Sequence, residues 1–71
     1  MTLRQYIKIK NLSYGQMARM LGIKHAKVIQ RWTLPFGHKE RSIPRQEYMM
    51  KILERTDGAV QPNDFYIQRE E

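Results

Sequence analysis

The chain has 71 residues, 41% of them hydrophobic, no cysteine and a formal net charge of +6. This length predicts one domain over residues 1–71, whose core is too small to enclose a large active-site cleft. The absence of cysteine excludes disulfides, zinc–thiolate sites and thiol nucleophiles, and it favours a cytoplasmic protein because small secreted domains usually carry disulfides.

The amino-terminal third predicts two short helices. Thr2 can cap the first helix, which Asn11 ends because asparagine tolerates the left-handed conformation. Ser13 and Gln16 fit an S-x-x-Q capping box at the start of a second helix, which continues to residue 21. Gly22 ends that helix, since glycine adopts the left-handed conformation without steric cost. The expected buried side chains are Leu3, Tyr6, Ile7, Met17, Ala18, Met20 and Leu21.

The middle of the chain predicts two further helices. The third runs from Lys24 or His25 to Thr33, and a loop follows because Pro35 and the next glycine end it. Pro44 suits the first position of a fourth helix over residues 44–56. The expected apolar positions of these helices are Val28, Ile29, Trp32, Tyr48, Met49, Ile52, Leu53 and Thr56.

The carboxyl-terminal segment predicts a short last helix. Asp57 and Gly58 stop the fourth helix, and Val60 and Phe65 then fit a hydrophobic staple, at the N′ and N4 positions. No period-two alternation typical of strands occurs. The predicted fold class is therefore all-α, a bundle of four to five helices in which residues 44–71 form helix 4 and the tail.

Basic residues concentrate in the amino-terminal half. Residues 1–41 hold nine Lys or Arg and one acid, a net +8, whereas residues 42–71 hold four Lys or Arg and six acids, a net −2. This asymmetry indicates a polyanionic partner on one face, although a solvated surface is the simpler reading of any single charge run. A membrane is not expected, since no segment approaches ~18 consecutive apolar residues.

Residues 13–33 predict a helix-turn-helix, because two helices flank a short turn containing glycine. The small Ala18 lets the two helices approach closely, and Ile23 and Val28 are expected to pack inward and fix their angle. The third helix keeps a protruding polar face, which an α-helix can insert into the DNA major groove. Gln can read adenine, Arg and Lys can read guanine, and Ala can meet a thymine methyl. The residues of this face are His25, Ala26, Lys27, Gln30 and Arg31.

The stretch LSYGQMARMLGI and the polar helix after it resemble the lambda Cro/cI-type (XRE-like) helix-turn-helix domain of small phage and bacterial transcriptional regulators. The later stretch SIPRQEYMMKILERTDGAVQPNDFY is similar to the tail of short prophage-type regulators. The resemblance covers most of the chain and implies a lambda repressor-like DNA-binding fold. It also implies sequence-specific binding of double-stranded DNA by a Cro-like or repressor-like protein, with helix 3 reading bases and the start of helix 2 contacting phosphate.

The resemblance assigns roles to individual positions of this chain. Base reading falls to His25, Ala26 and Gln30. The side chains expected at the DNA backbone or the groove rim are Tyr14, Gln16, Lys24, Lys27, Arg31, His38, Lys39 and Arg41.

Two positions depart from the family's pattern. Tyr14 replaces the usual Gln at the start of helix 2, but its hydroxyl can still donate to a phosphate. Arg31 stands where the family buries an apolar residue, and Trp32 follows one place later. Either helix 3 is rotated, with Val28 and Trp32 as its buried pair, or it contains an inserted residue. Ile29 could face either way.

Other functions are weighed against DNA binding. An antitoxin or antirepressor of the same fold, which binds another protein, is the alternative, and it predicts a large exposed apolar patch. RNA binding ranks lower because the chain lacks an aromatic sheet platform. No catalytic constellation is found, so an enzyme is not expected. His25 and His38 have no further ligands nearby, so neither a metal nor a cofactor is expected.

A homodimer is the expected oligomer, because a single helix reads only about four or five base pairs and a two-fold operator supplies the missing specificity. The candidate dimer surface is helix 4 and the tail, in the mildly acidic half. It includes Phe65, Tyr66 and Ile67.

Overall fold

The computed structural model describes residues 1–66 of the 71-residue chain. These residues form four α-helices and a 3₁₀ helix, and they contain no strand, which confirms the all-α prediction. None of these helices is long and apolar enough to cross a bilayer. The helices are α1 (Leu3–Ile9), α2 (Tyr14–Met20), α3 (Ala26–Trp32), α4 (Gln46–Arg55) and the 3₁₀ helix Pro62–Phe65.

Capping boxes begin α1 and α2. Thr2 Oγ1 accepts a hydrogen bond from the Gln5 amide at 3.1 Å, and Gln5 Oε1 accepts one from the Thr2 amide at 2.9 Å. In α2, Ser13 Oγ accepts from the Gln16 amide at 3.0 Å, and Gln16 Oε1 accepts from the Ser13 amide at 2.8 Å. The caps predicted at Thr2 and Ser13 are confirmed, and each satisfies backbone donors that have no partner inside the helix.

Left-handed residues end three helices, and after α4 two of them, Asp57 and Gly58, follow each other. The φ angles of Asn11, Gly22 and Asp57 are 54°, 72° and 54°, so the predicted stops are confirmed. After α2, the Ile23 amide donates to the Ala18 carbonyl at 2.9 Å, which is the long hydrogen bond of a Schellman motif. This bond turns the chain sharply between α2 and α3.

Two predicted helix starts are wrong by one or two residues. His25 is not helical; it is the extended N-cap of α3, with φ −115° and ψ 117°. Helix α4 begins at Gln46 rather than at Pro44, and Arg45 is its extended N-cap. Pro44 is buried at the N′ position, and Met49 at N4 is buried as well, the placement of a hydrophobic staple. Burial of its ring therefore keeps Pro44 outside the helix.

One core cluster joins the helices. Met20, Ile23, Val28 and Tyr48 are partly buried and pack against it, so Met20 is less buried than the sequence predicts. Val60 and Phe65 are both buried at the N′ and N4 positions of the 3₁₀ helix, as the staple predicts. The buried apolar residues are Leu3, Tyr6, Ile7, Met17, Ala18, Leu21, Ile29, Trp32, Met49, Ile52, Val60 and Phe65.

Helix α3 buries Ile29 and Trp32, not Val28 and Trp32. Ile29 is 0% exposed and Trp32 is 6% exposed, whereas Val28 is only half-buried. Ile29 and Trp32 are three residues apart and so share one helical face, while Arg31 is exposed. The helix runs without interruption from Ala26 to Trp32, so its middle holds no inserted bulge.

Candidate nucleic-acid interface

Helices α2 and α3 form the most closely packed pair of elements among residues 1–66. Ala18 is 2% exposed on α2, and the fully buried Ile29 lies on α3. The segment that joins them contains the Gly22 turn and Ile23, which packs against the core. The inward packing predicted for Ile23 and Val28 is confirmed, because both are partly buried against the core. Because one face of α3 is committed to this contact, its opposite face is left to solvent.

The opposite face of α3 carries the residues that the sequence predicts to read bases. Ala26, Lys27, Gln30 and Arg31 are all exposed, and they lie at positions i, i+1, i+4 and i+5, which share one side of a helix. None of their side chains forms a hydrogen bond or an ion pair within residues 1–66. Their donors and acceptors are thus available to an external partner.

The amino end of α3 adds two exposed groups. His25 is the N-cap residue, but its side chain makes no capping hydrogen bond. Lys24 precedes it and is exposed. The imidazole of His25 is therefore free to bond outward from the first turn of α3. The structure thus brings the predicted base-reading residues and Lys24 together at one continuous surface.

The start of α2 lies near the end of α3. Tyr14 is 40% exposed, and its hydroxyl oxygen lies 3.5 Å from that of Thr33, which donates its own proton to the Gln30 carbonyl at 2.8 Å. Gln16 is exposed, but its Oε1 is occupied by the capping box, which leaves only its amide NH₂ for another partner. Sequence reasoning missed Thr33, since residues 19 positions apart show no contact signal in a single sequence.

The loop between α3 and α4 exposes two of its three predicted contact residues. His38 and Lys39 are exposed, and His38 Nδ1 accepts a hydrogen bond from the Glu40 amide at 3.1 Å. This bond fixes the Nδ1 side of the ring as an acceptor and leaves Nε2 as the N–H donor. The loop therefore presents a donor and a cation beside each other.

Arg41 has contacts inside the protein. Its Nε donates to the Leu34 carbonyl at 3.0 Å, and a terminal nitrogen donates to the Phe65 carbonyl at 3.1 Å. The guanidinium carbon lies 4.1 Å from the centre of the Phe36 ring. Burial of this half-buried side chain lowers the pKa of its guanidinium. Arg41 thus braces the loop against the 3₁₀ helix, a role that the sequence did not reveal.

The lysines of residues 1–39, with Arg19 and Arg31, form no ion pair among residues 1–66. The first acid of the chain is Glu40. The ion pair recorded within residues 1–66 joins the Met1 α-ammonium to Asp64 at 3.3 Å and involves none of the lysines. A surface with uncompensated positive charge attracts polyanions. The basic residues of this segment without an ion pair among residues 1–66 are Lys8, Lys10, Arg19, Lys24, Lys27, Arg31 and Lys39.

The predicted dimer surface requires a correction at Phe65. This side chain is only 2% exposed because it fills the core beside α4, so it cannot lie on an interface of the folded chain. Tyr66 is 60% exposed and Met50 on α4 is 53% exposed, which leaves these two large side chains on the outside. Ile67 lies outside the described residues.

Comparison of the chain with protein-family models, curated proteins and solved structures finds no match.

Proposed function

We propose that the chain is a sequence-specific double-stranded DNA-binding regulator of transcription, of Cro or repressor type, that acts in the cytoplasm. In this proposal α2, the Gly22 turn and α3 act as a helix-turn-helix, and α3 enters the major groove. The observation that carries the proposal is the outer face of α3, where Lys27, Gln30 and Arg31 are exposed, adjacent and unpaired. No catalytic step is part of this function.

In this proposal, different side chains supply the affinity for DNA and the specificity for its sequence. The lysines of residues 1–39, with Arg19 and Arg31, supply affinity by displacing counterions from phosphates, which is independent of DNA sequence. Base edges are read by His25, Ala26 and Gln30, because side chains on α3 can reach the groove floor.

Seven helical residues are about 10 Å long and cover only a few base pairs, so we propose that a homodimer binds a two-fold operator. Met50 and Tyr66 are the exposed side chains available for its interface.

Selection of bound duplexes from a random DNA pool tests sequence specificity and symmetry together. We expect an enriched sequence with two inverted half-sites about 10 base pairs apart, centre to centre. A pool that stays random after selection would reject sequence-specific binding. An enriched sequence without two-fold symmetry would reject the homodimer and leave α3 as the reader.

The salt dependence of affinity tests the phosphate contacts. If about five phosphates are neutralised, log affinity should fall against log salt with a slope near −4 to −5. Lys27→Gln should reduce the slope by about one, whereas Arg55→Gln, in the half with net negative charge, should leave it unchanged. A flat salt response would instead favour the protein-binding alternative, an antitoxin or antirepressor.

A further inference from the structure

A cleft of about 160 Å³ lies apart from the outer face of α3. It is enclosed by the start of α1, the carboxyl end of α3, the following loop and the 3₁₀ helix. Its apolar lining includes Trp32, Leu34 and Phe36, and two arginines, Arg4 and Arg41, line it as well. The size of the cleft is close to that of a cavity of about 150 Å³, which holds one benzene molecule.

Arg41 retains unused hydrogen-bonding capacity in this cleft. Two of its five N–H groups donate to the carbonyls of Leu34 and Phe65. Among residues 1–66, the others have no acceptor and no carboxylate pairs with the guanidinium. A half-buried charge without a counter-ion is unfavourable, and a carboxylate or similar anion would relieve that cost with charge-assisted hydrogen bonds.

Asp64 also lines the cleft, but its charge is already compensated. Its Oδ2 accepts from the Gln61 amide at 2.8 Å and lies 3.3 Å from the Met1 α-ammonium. Asp64 is 5% exposed, so little of its carboxylate faces the space of the cleft. The repulsion that it exerts on an anion beside Arg41 is therefore weak.

We propose that this cleft binds a small anion that consists of one aromatic ring and a carboxylate. The carboxylate receives hydrogen bonds from the free N–H groups of Arg41, and the ring contacts Trp32 and Phe36. Aromatic rings favour such offset or edge contacts with other rings. The site lies apart from the proposed base contacts, because no residue of the outer face of α3 lines the cleft.

Tryptophan fluorescence of the unmodified protein tests the proposal directly, since Trp32 is the only tryptophan of the chain. Titration with benzoate should give a saturable change with a dissociation constant on the order of 0.1–1 mM. Benzyl alcohol keeps the ring without the charge, and acetate keeps the charge without the ring. Both should bind at least about tenfold more weakly. Equal binding of benzyl alcohol, equal binding of acetate, or no saturable change at about 10 mM benzoate would each overturn the proposal.

Two variants locate the anion. Arg41→Gln should weaken benzoate binding by about tenfold or more, and Arg45→Gln, which removes an exposed arginine nearby in sequence, should leave it unchanged. Equal losses in both variants would contradict the site, because they would reveal a general effect of charge. If Arg41→Gln fails to fold, the Arg41 Nε–H resonance of the unmodified protein serves instead. That resonance should shift with benzoate, and a shift confined to other arginines would reject the site.

Discussion

Gln30 and Lys27 lie on the same exposed face of α3, but they can recognise different parts of DNA. The Gln30 amide can pair with an adenine edge, whereas the long Lys27 side chain suits a phosphate. Gln30→Ala should therefore lose about 1–3 kcal/mol on the preferred duplex and little on random DNA. Lys27→Ala should weaken both complexes similarly. Fluorescence anisotropy on specific and random duplexes, at two salt concentrations, measures both effects.

Gln46→Ala is the matched control for Gln30→Ala. Gln46 is an exposed glutamine in the first turn of α4, so its removal should change neither complex. Arg31 supplies the competing outcome, because it is also exposed on α3. If Arg31→Ala loses discrimination between duplexes and Gln30→Ala does not, Arg31 is the base reader and the assignment of Gln30 is wrong.

The exposure of individual residues could be predicted where helical period decided it, as at Gln30 and Lys27. The period failed at the adjacent apolar residues Val28 and Ile29, since both fit a buried stripe that also contains Trp32. Only the approach of α2 determines which of the two is fully buried. The bracing role of Arg41 was unpredictable for another reason: its acceptor Phe65 is 24 residues away in the chain.

The turn after α2 is the element most sensitive to substitution. Gly22 has φ 72°, but a Cβ atom placed there would meet no heavy atom within 4 Å. Gly22→Val should therefore be destabilising through backbone strain rather than crowding, by about 2 kcal/mol. Gly22→Asn should cost less, because asparagine tolerates the left-handed conformation. Urea unfolding followed by circular dichroism measures both free energies of unfolding.

Gly15 provides the control for the turn. It lies inside α2, where the nearest neighbour of an added Cβ would be Ser13 Oγ at 3.8 Å. Gly15→Ala should stabilise the protein by about 0.5–1 kcal/mol, since alanine loses less conformational freedom in a helix. If Gly22→Val unfolds at the same urea concentration as the parent, valine is not strained at residue 22, and the left-handed turn does not require glycine there.

Helix ends could be predicted where a capping side chain or a left-handed backbone angle sets the boundary. Ser13 and Gln16 bond each other's backbone, and Asn11, Gly22 and Asp57 adopt left-handed angles, so local chemistry was sufficient. The start of α4 was not predictable from local chemistry. Proline fits the first helical turn, but Pro44 is buried two residues before the helix begins. Tertiary burial decided that boundary.

Contacts between residues that are distant along the chain join the helices and loops to one another. The Trp32 and Tyr48 rings lie 5.9 Å apart at an angle of 46°, which links α3 to α4. The Ser42 amide donates to the Arg31 carbonyl at 3.3 Å, and Arg41 bonds the 3₁₀ helix. Periodicity predicted which residues enter the core, but it carries no information on which helices meet there. The cleft beside Arg41 forms where α1, the end of α3 and the 3₁₀ helix pack together.

The lysines of residues 1–39, with Arg19 and Arg31, also affect the stability of the protein when no DNA is bound. They repel one another in the folded chain, and none of them forms an ion pair with a carboxylate of the described residues. Sodium chloride should therefore raise the melting temperature of the free protein by a few degrees between low and near-physiological concentration, because ions screen exposed charges. The same salt weakens the DNA complex, so differential scanning calorimetry and binding should respond in opposite directions. A melting temperature that falls or stays constant would show that the folded protein does not experience this repulsion.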